Sequence, residues 1–389
     1  MKKVYTLSFL FCIAVSGCVS TQENQYAKQA LDTKLLLNDE IFPIAKHVPI
    51  ESKKEIFHLS DEMKNFVRQE LDPLRTKHHK VHHLVKHIFN NDNVGLAYLS
   101  NANLVAEQAY NNKKANCMSL TIMAYALAKE AGLDANFQDV LVPEYWVRNG
   151  QYSMLTGHVN LKIKGVKQPN TSIVWGEKSF EVDFDPFIRK KNFDTEVIGK
   201  STVVAMFYNN KGAQALVESQ YNKAYAYFKA AILEDVDYAP SWGNLGILYR
   251  FLNEVELAEN TYQHAISLAP NSLNSMTNLA ILLERQGRYD ESRRLDSAII
   301  KQRIKNPYYH ALLADEAFYE GRFESAVRHY RRGIKINGEI HELYFGLAKV
   351  FDAMGRKDQA RTAMKKAINA NKIPDVERQY IAKLSLLKQ

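Results

Sequence analysis

Residues 242–270 read WGNLGILYRFLNEVELAENTYQHAISLAP, and this stretch decides the fold of the second half of the chain. Large, small and turn-forming residues stand at fixed intervals in it: Trp242, Leu245, Gly246, Tyr249, Ala258, Tyr262, Ala265 and Pro270. Small residues let two helices approach closely, and large ones fill the space between neighbouring helix pairs. The stretch therefore predicts a helical hairpin that buries its apolar face against further copies of itself.

The same pattern recurs in frames that begin at 205, 239, 273, 307 and 341, without insertions. Each frame other than the second keeps part of the pattern: Ala224, Phe228 and Ala231; Leu279, Gly287 and Tyr289; Leu313, Gly321, Phe323, Ala326 and Tyr330; Leu347, Gly355, Ala360 and Ala367. A repeat of about 34 residues with these positions resembles the tetratricopeptide repeat. The resemblance implies an all-α solenoid of five repeats over residues 205–373 that binds a protein or peptide in its groove. Apolar residues beyond it predict a capping helix over 374–389.

The N-terminus reads as a signal peptide with a lipidation site. Lys2 and Lys3 precede an apolar stretch from Val4 to Val15, and small residues lead to Cys18. We expect residues 1–17 to be removed and Cys18 to be acylated, which would hold the protein at a membrane without a spanning helix. The alternative is an ordinary secretory signal with a chance Cys at its end. Val19 after Cys18 resembles lipoproteins sorted to the outer membrane, so the predicted location is the periplasmic side of the cell envelope.

Cys117 would be the only free thiol of such a mature protein, since Cys12 leaves with the leader and Cys18 is acylated. An exported chain that keeps one thiol either buries it as a small hydrophobic residue or uses it chemically. No disulfide is predicted within the mature monomer.

Length and composition fit a globular protein of two or three domains. The chain has 389 residues, of which 46% are hydrophobic and 24% charged. Its net charge of +8 falls to +6 when Lys2 and Lys3 leave, which is too mild to predict a nucleic-acid partner.

The segment between leader and repeats begins helical, over 59–71, 81–89 and 104–110, and then becomes mixed. Cys117 opens an apolar helical run that ends near Ala131 and Gly132. Alternation predicts strands over 135–142, 158–164 and 179–185. The predicted fold is therefore α+β, with a Cys-bearing helix packed on an antiparallel sheet.

This arrangement resembles the transglutaminase-like superfamily, whose papain-like core has a Cys-led helix followed by His and Asp on adjacent strands. The matching stretches are Ala115–Leu120, Ala126–Leu133, Gly157–Asn160 and Val182–Pro186. With the leader and the repeats, the chain resembles the transglutaminase-like lipoproteins of proteobacteria. The predicted domains are a tether and helical segment over 18–58, the transglutaminase-like domain over 59–200, and the repeats.

The resemblance implies that Cys117 is the nucleophile, His158 the base, and Asp183 the carboxylate that orients the imidazole, with Asp185 as the runner-up. A helix N-terminus favours the thiolate form of a Cys, which supports the first role. The residues beside Cys117 differ from those of the better-known enzymes, where Gly often precedes the Cys and an aromatic residue follows it. Hydrolysis and acyl transfer therefore both stay open, with no cofactor.

The histidine-rich run 77–87 places His79, His83 and His87 on one helix face, a spacing that can bind zinc. Lys77, Lys80 and Lys86 would repel a dication, so the run favours a solvated basic face and we predict no metal.

Together these features predict an envelope lipoprotein whose thiol domain cleaves, or transfers the acyl group of, a peptide or glutamine-type amide. The repeats would recruit a protein substrate or partner. The alternative is a non-catalytic scaffold that uses both domains to assemble envelope proteins.

Overall fold

The computed structural model describes residues 33–89, 97–98, 102–112, 114–149, 152–164, 179–184, 193–371 and 374–386. The predicted leader and Cys18 lie outside these residues, as does Asp185. Among the residues described, no helix is both long and apolar enough to cross a bilayer.

The first part of the chain is helical. Its helices are α1 (Lys53–Ile56), α2 (Asp61–Phe66), α3 (Lys77–Phe89), α4 (Ala106–Asn112) and α5 (Cys117–Glu130), and one π-helical turn covers Val67–Leu71. Ser52 and Ser60 cap α1 and α2 by accepting hydrogen bonds from Glu55 and Met63 N–H groups. Such caps satisfy backbone donors that a helix start leaves unpaired.

The described residues also contain eight strands: β1 (Ala97–Tyr98), β2 (Lys114–Ala115), β3 (Ala135–Val140), β4 (Tyr145–Asn149), β5 (Tyr152–Thr156), β6 (Val159–Lys164), β7 (Ser179–Val182) and β8 (Thr195–Ile198). The main sheet has the order β7-β6-β3-β8, and all its neighbouring strands are antiparallel. The pairs β1–β2 and β4–β5 form separate two-stranded sheets. The expectation of an antiparallel sheet is confirmed, whereas β8 and the β4–β5 hairpin were not predicted.

Helix α5 packs across the main sheet. Leu120, Met123 and Leu127 are buried in one core with Phe137 of β3 and Leu161 of β6. The Thr121 hydroxyl donates to the Val159 carbonyl oxygen at 3.2 Å, which fixes the helix against the strand. Alternation along the strands directs these apolar residues to the helix-covered face.

The rest of the chain is a series of helix pairs with a final single helix. The pairs are α6 (Lys200–Val217) and α7 (Tyr221–Glu234), α8 (Ala239–Phe251) and α9 (Val255–Leu268), α10 (Leu273–Arg285) and α11 (Tyr289–Arg303), α12 (Pro307–Tyr319) and α13 (Phe323–Ile336), and α14 (His341–Ala353) and α15 (Lys357–Ala370). The last helix, α16 (Pro374–Leu386), stacks Tyr380 on Phe345 with ring centroids 4.9 Å apart.

The turn inside each pair has one residue with a positive φ, and these residues recur at the repeat spacing: Ser219, Asn253, Gly287, Gly321 and Gly355. A left-handed residue ends a helix and lets the chain reverse, which is why Gly dominates there. The repeated turn residue and the repeated core positions confirm the expectation of a solenoid of helix pairs.

The first helix pair belongs to two cores. Val203, Val204 and Phe207 of α6 are fully buried with the residues of α5 and the main sheet. Farther along the same pair, Leu216 and Phe228 pack with the second pair. We call the helix pairs from α6 onward the array, and the helices and strands from α1 to β8 the sheet domain. The two meet through shared apolar residues rather than through a linker.

Residues 33–47 form three short 3-10 helices that lie on the array, and we call them the strap. Phe42 stacks on Tyr225, with centroids 4.1 Å apart. The Tyr225 hydroxyl donates to Asp39 at 2.9 Å, and Tyr249 donates to the Leu36 carbonyl oxygen at 2.7 Å. The strap thus ties the N-terminal end of the described chain to the first two helix pairs.

Candidate active site and repeat array

Cys117 is the first residue of α5. The side chain of Asn116 caps this helix by accepting a hydrogen bond from the Ser119 N–H at 2.8 Å. The Ser119 hydroxyl in turn accepts from the Leu104 N–H and donates to the Ala102 carbonyl oxygen. These bonds fix the backbone on both sides of the thiol, which is free and 8% exposed.

His158 and Asp183 form a buried pair beside this helix start. His158 immediately precedes β6 and Asp183 immediately follows β7, so the antiparallel pairing of these strands brings them together. The His158 Nε2 atom lies 2.9 Å from both carboxylate oxygens of Asp183. With exposures of 2% and 7%, the two side chains are withdrawn from bulk water.

The electrostatic setting of His158 favours its charged form. Burial alone would lower the pKa of the imidazole, but the hydrogen bonds with Asp183, the closeness of Cys117 and the charges of both groups raise the pKa to about 10. Because Nε2 faces Asp183, the other ring nitrogen, Nδ1, is the one left for the thiol. Nδ1 is buried and makes no hydrogen bond of ordinary geometry.

The structure thus brings together Cys117, His158 and Asp183, the three residues to which the resemblance assigned catalytic roles. Their arrangement places an imidazole between a thiol and a carboxylate, which is the order that nucleophilic thiol chemistry requires. Asp185, the runner-up to Asp183, lies outside the described residues.

Asn160 is a site residue that sequence reasoning left without a role. Its side-chain N–H group donates to Asp183 Oδ2 at 3.4 Å, and the residue is buried. Side chains two residues apart along a strand lie on the same face of the sheet, so Asn160 is expected on the same face as His158. This alternation was the signal that could have marked it.

The predicted solvated histidine face is wrong at one position. His87 is buried, stacks on Phe66 with centroids 3.6 Å apart, and has its Nε2 atom 3.1 Å from the Tyr110 hydroxyl. Burial lowers the pKa of His87. His83 lies 2.8 Å from Glu70. Within the described ranges, no group of three or more His, Cys, Asp or Glu side chains is placed to hold a metal ion.

Comparison with known proteins identifies the repeats. The tetratricopeptide repeat family matches residues 239–272, 261–294 and 312–375. Tetratricopeptide repeats occupy the C-terminal region.

Similar proteins match this chain over a limited part of its length. Tetratricopeptide repeat protein 8 of Caenorhabditis elegans is 25% identical over 135 residues, which are 35% of this chain and 27% of that protein. Photosystem I assembly protein Ycf3 of Prochlorococcus marinus (strain NATL1A) is 31% identical over 87 residues, which are 22% of this chain and 50% of that protein. The chain thus spans half or less of these two relatives. The solved structure of pilF from Pseudomonas aeruginosa is 14% identical, covers 48% of this chain and 91% of that chain, and has a TM-score of 0.29.

The tetratricopeptide array reaches the thiol site directly. Asn210 of α6 donates to the sulfur of Met118, the residue after Cys117, at 3.8 Å. The side chain of Asn103, beside the Ser119 network, donates to the Phe207 carbonyl oxygen at 2.9 Å. The first helix of the array therefore lies against the start of α5.

Polar side chains link the first helices of successive tetratricopeptide pairs. Asn244 of α8 donates to Asn209 of α6 at 2.9 Å, and Arg250 of α8 donates to Asn278 of α10 at 3.3 Å. The first helices of the first three pairs are thus joined into one layer, in which Asn209 and Asn278 are buried and Asn244 and Arg250 are half-buried. Solenoids use extended layers of this kind as binding surfaces.

Proposed function

We propose that this protein binds a protein or peptide partner along the layer formed by the first helices of its tetratricopeptide pairs. The half-buried side chains of Asn244 and Arg250 support this function, because their donor groups can also hydrogen-bond to a partner that lies along the layer. Aromatic side chains in the same layer, among them Tyr319 with 57% exposure, add apolar contact area. This function requires no chemistry at Cys117.

Site-specific photocrosslinking in cells tests the binding surface. We expect p-benzoylphenylalanine in place of Phe251 or Tyr319, both in first helices, to give covalent adducts of one discrete mass. The control is the same probe in place of Leu233, which is 70% exposed on a second helix. Identical adduct patterns at all three positions, or none at any of them, would contradict a binding surface on the first helices.

A second function, thiol chemistry on an amide, is favoured by one observation: the buried His158–Asp183 pair stands beside a thiol at a helix start. We propose on this ground that the sheet domain is transglutaminase-like. An imidazole that stays protonated at neutral pH stabilises a neighbouring thiolate. Asp183 would hold the imidazole in the orientation that leaves Nδ1 facing Cys117, and Asn160 would hold Asp183.

The proposed reaction proceeds through an acyl-enzyme. The Cys117 thiolate attacks the amide carbonyl carbon, and the carbonyl oxygen becomes an oxyanion that backbone N–H groups at the start of α5 can stabilise. The C–N bond then breaks, and the imidazolium of His158 gives its proton to the departing amine. Water next attacks the thioester and transfers a proton to His158, which releases a carboxylic acid and restores the thiolate–imidazolium pair. We favour water over an amine as the acceptor because water is the acceptor that is available without a second binding site.

Alkylation of Cys117 by iodoacetamide, followed on its peptide by mass spectrometry, distinguishes an enzyme from a scaffold. We expect His158→Ala to slow alkylation at pH 7 by at least tenfold, and Asp183→Asn to slow it less. His82→Ala, at an exposed histidine, serves as the control and should change the rate less than twofold. Slow alkylation of the native protein, at a rate that does not change in His158→Ala, would favour the non-catalytic scaffold.

We also propose that Cys18 carries a lipid that holds the protein at the periplasmic side of the cell envelope, with the outer membrane as the favoured site. The residues around Cys18 support this location. Palmitate labelling in cells should be lost in Cys18→Ala, and persistence of the label in that variant would contradict lipidation at this residue.

A further inference from the structure

Arg303, the last residue of α11, is an almost fully buried cation at the junction between the array and the sheet domain. Its guanidinium donates from Nε to Glu144 Oε2 at 2.8 Å and from a terminal nitrogen to Glu144 Oε1 at 3.0 Å. The other terminal nitrogen donates to the Thr277 hydroxyl at 2.9 Å. A paired guanidinium and carboxylate in this two-bond geometry is both strong and directional.

Further side chains hold Glu144 and the residues that follow it, and together with Arg303 we call these contacts the clamp. Asn306 donates to the Glu144 carbonyl oxygen at 2.6 Å. The Arg303 guanidinium lies 5.1 Å from the Trp146 ring centroid, and Trp146 lies 6.2 Å from the Tyr309 ring. Residues 144–146, which begin the β4–β5 hairpin, are therefore held by the third and fourth helix pairs of the array.

The same hairpin leads directly to the thiol site. Strand β5 ends at Thr156, and only Gly157 separates it from His158. The His158 carbonyl oxygen accepts a hydrogen bond from the Val140 N–H at 2.9 Å, so Val140 and His158 stand side by side where the hairpin leaves and rejoins the main sheet. The hairpin is thus preceded by Glu144, which Arg303 holds, and followed by His158, which belongs to the candidate active site.

We propose that Arg303 is a positioning residue for the Cys117 site and that it acts on His158 through Glu144 and the β4–β5 hairpin. This inference rests on the thiol function proposed above. A two-stranded hairpin is marginally stable by itself, so its order depends on what it packs against. Removing one partner of a buried ion pair leaves the other charge uncompensated, which would release the hairpin from the array. A partner that moves α10, α11 or α12 would then alter the reactivity of Cys117.

The test combines two measurements on the whole chain: the pH profile of Cys117 alkylation by iodoacetamide, and hydrogen exchange of the hairpin. Arg303→Met retains much of the side-chain length and apolar contact but loses every donor. We expect it to slow alkylation at pH 7 by about fivefold or more, to shift the profile towards that of free cysteine, and to increase exchange over residues 145–156. Arg303→Lys, which keeps the charge without the forked geometry, should fall between.

Two further variants keep the test decisive. Glu144→Gln retains the shape of the acceptor and should give a smaller change in the same direction if Arg303→Met does not fold. Arg288→Met is the matched control, because Arg288 also forks onto carboxylates, those of Glu259 and Glu291, but within the array. It should change neither measurement by more than twofold.

The outcomes separate this inference from the function on which it rests. Faster hairpin exchange with an unchanged alkylation profile would reduce Arg303 to a purely structural role and overturn the inference alone. Unchanged exchange would overturn it as well. If Cys117 is alkylated at the same rate in the native protein and in His158→Ala, the proposed thiol function is overturned instead, and with it any positioning role.

Discussion

At the scale of single residues, burial sets the behaviour of the ionisable groups around the site. Asp139 lies on β3 beside His158, and burial together with the negative charge of Glu196 raises its pKa to about 6, despite the opposing influence of His158. Its cross-strand partners are Val159 and Glu196. The carboxyl group therefore remains partly desolvated in the folded protein.

Asp139→Asn should stabilise the protein at alkaline pH. The folded pKa of about 6 exceeds the unfolded value of about 3.9, so the folded state binds more protons between these values and stability falls as pH rises through them. We expect the variant to raise the free energy of unfolding by about 1–2 kcal/mol at pH 8 and to change it little at pH 3.5. Urea denaturation at both pH values measures this.

Glu130→Gln, which removes an exposed carboxylate at the end of α5, is the control and should shift stability by less than about 0.5 kcal/mol. Equal stabilities of native protein and Asp139→Asn at pH 8 would mean that ionised Asp139 carries no desolvation cost.

At the scale of elements, Phe42 supplies the main apolar contact of the strap, beside the hydrogen bonds from Tyr225 and Tyr249. Phe42 is almost fully buried against Tyr225, and truncating a buried Phe typically costs about 3–5 kcal/mol. Because the strap is short and contributes few of the buried residues of the array, Phe42→Ala should release it rather than unfold the array. We expect faster hydrogen exchange over residues 36–48 with little change over α14 and α15. Ile44→Ala, at a position 61% exposed, should leave exchange unchanged.

Two glycines of α8 test how closely this helix packs on its neighbours, Gly246 against its paired helix α9 and Gly243 against α10 of the next pair. A Cβ at Gly246 would lie 2.6 Å from a ring carbon of Tyr262, whereas at Gly243 it would meet the Ser275 hydroxyl at 2.8 Å. The ring is fully buried and the hydroxyl can rotate. Gly246→Ala should therefore cost about 1–3 kcal/mol of stability.

Gly243→Ala should cost much less, because the gain in helix propensity of about 1 kcal/mol offsets a small adjustment. Chemical denaturation of both variants measures the difference. Equal costs at the two positions would show that the Tyr262 ring does not limit the approach of the helices.

These elements also show what the sequence could predict. The frames at 239, 273, 307 and 341 coincide with the starts of α8, α10, α12 and α14, since each repeat carries its own packing residues. Helix α6 begins before its frame, at Lys200, because its first turns pack on the sheet domain, which the repeat pattern does not contain. Strand β8 was missed because it is short and ordered by its pairing with β3.

The candidate site, too, combines residues that the sequence could predict with residues that it could not. His158 and Asp183 flank the strands β6 and β7, whose alternation and order along the chain could be recognised in the sequence, so their proximity could be predicted. Glu144 and Arg303 are 159 residues apart, and neither carries a local signal for the other. Their pairing exists only because the array folds back onto the hairpin.

At the scale of the whole molecule, the shared core determines which parts can fold alone. Val203, Val204 and Phe207 are buried with Phe137 and Leu161 of the main sheet, so a fragment of residues 33–199 would expose that apolar surface. A fragment of residues 33–270 keeps the first two helix pairs and the strap contacts with Tyr225 and Tyr249. We therefore expect the sheet domain to fold together with the start of the array.

We expect residues 33–270 to unfold cooperatively in urea with a near-ultraviolet circular dichroism signal, because the buried aromatic residues of the shared core keep fixed surroundings. Residues 33–199 should lack both properties and bind a hydrophobic dye, as compact chains without fixed packing do. The double variant Val203→Ala/Phe207→Ala in the longer fragment is the control for chain length, and it should lose most of the cooperativity without any truncation. Cooperative unfolding of residues 33–199 would instead show that the sheet domain folds without the array, and the contacts of α6 and Arg303 with it would then serve communication rather than folding.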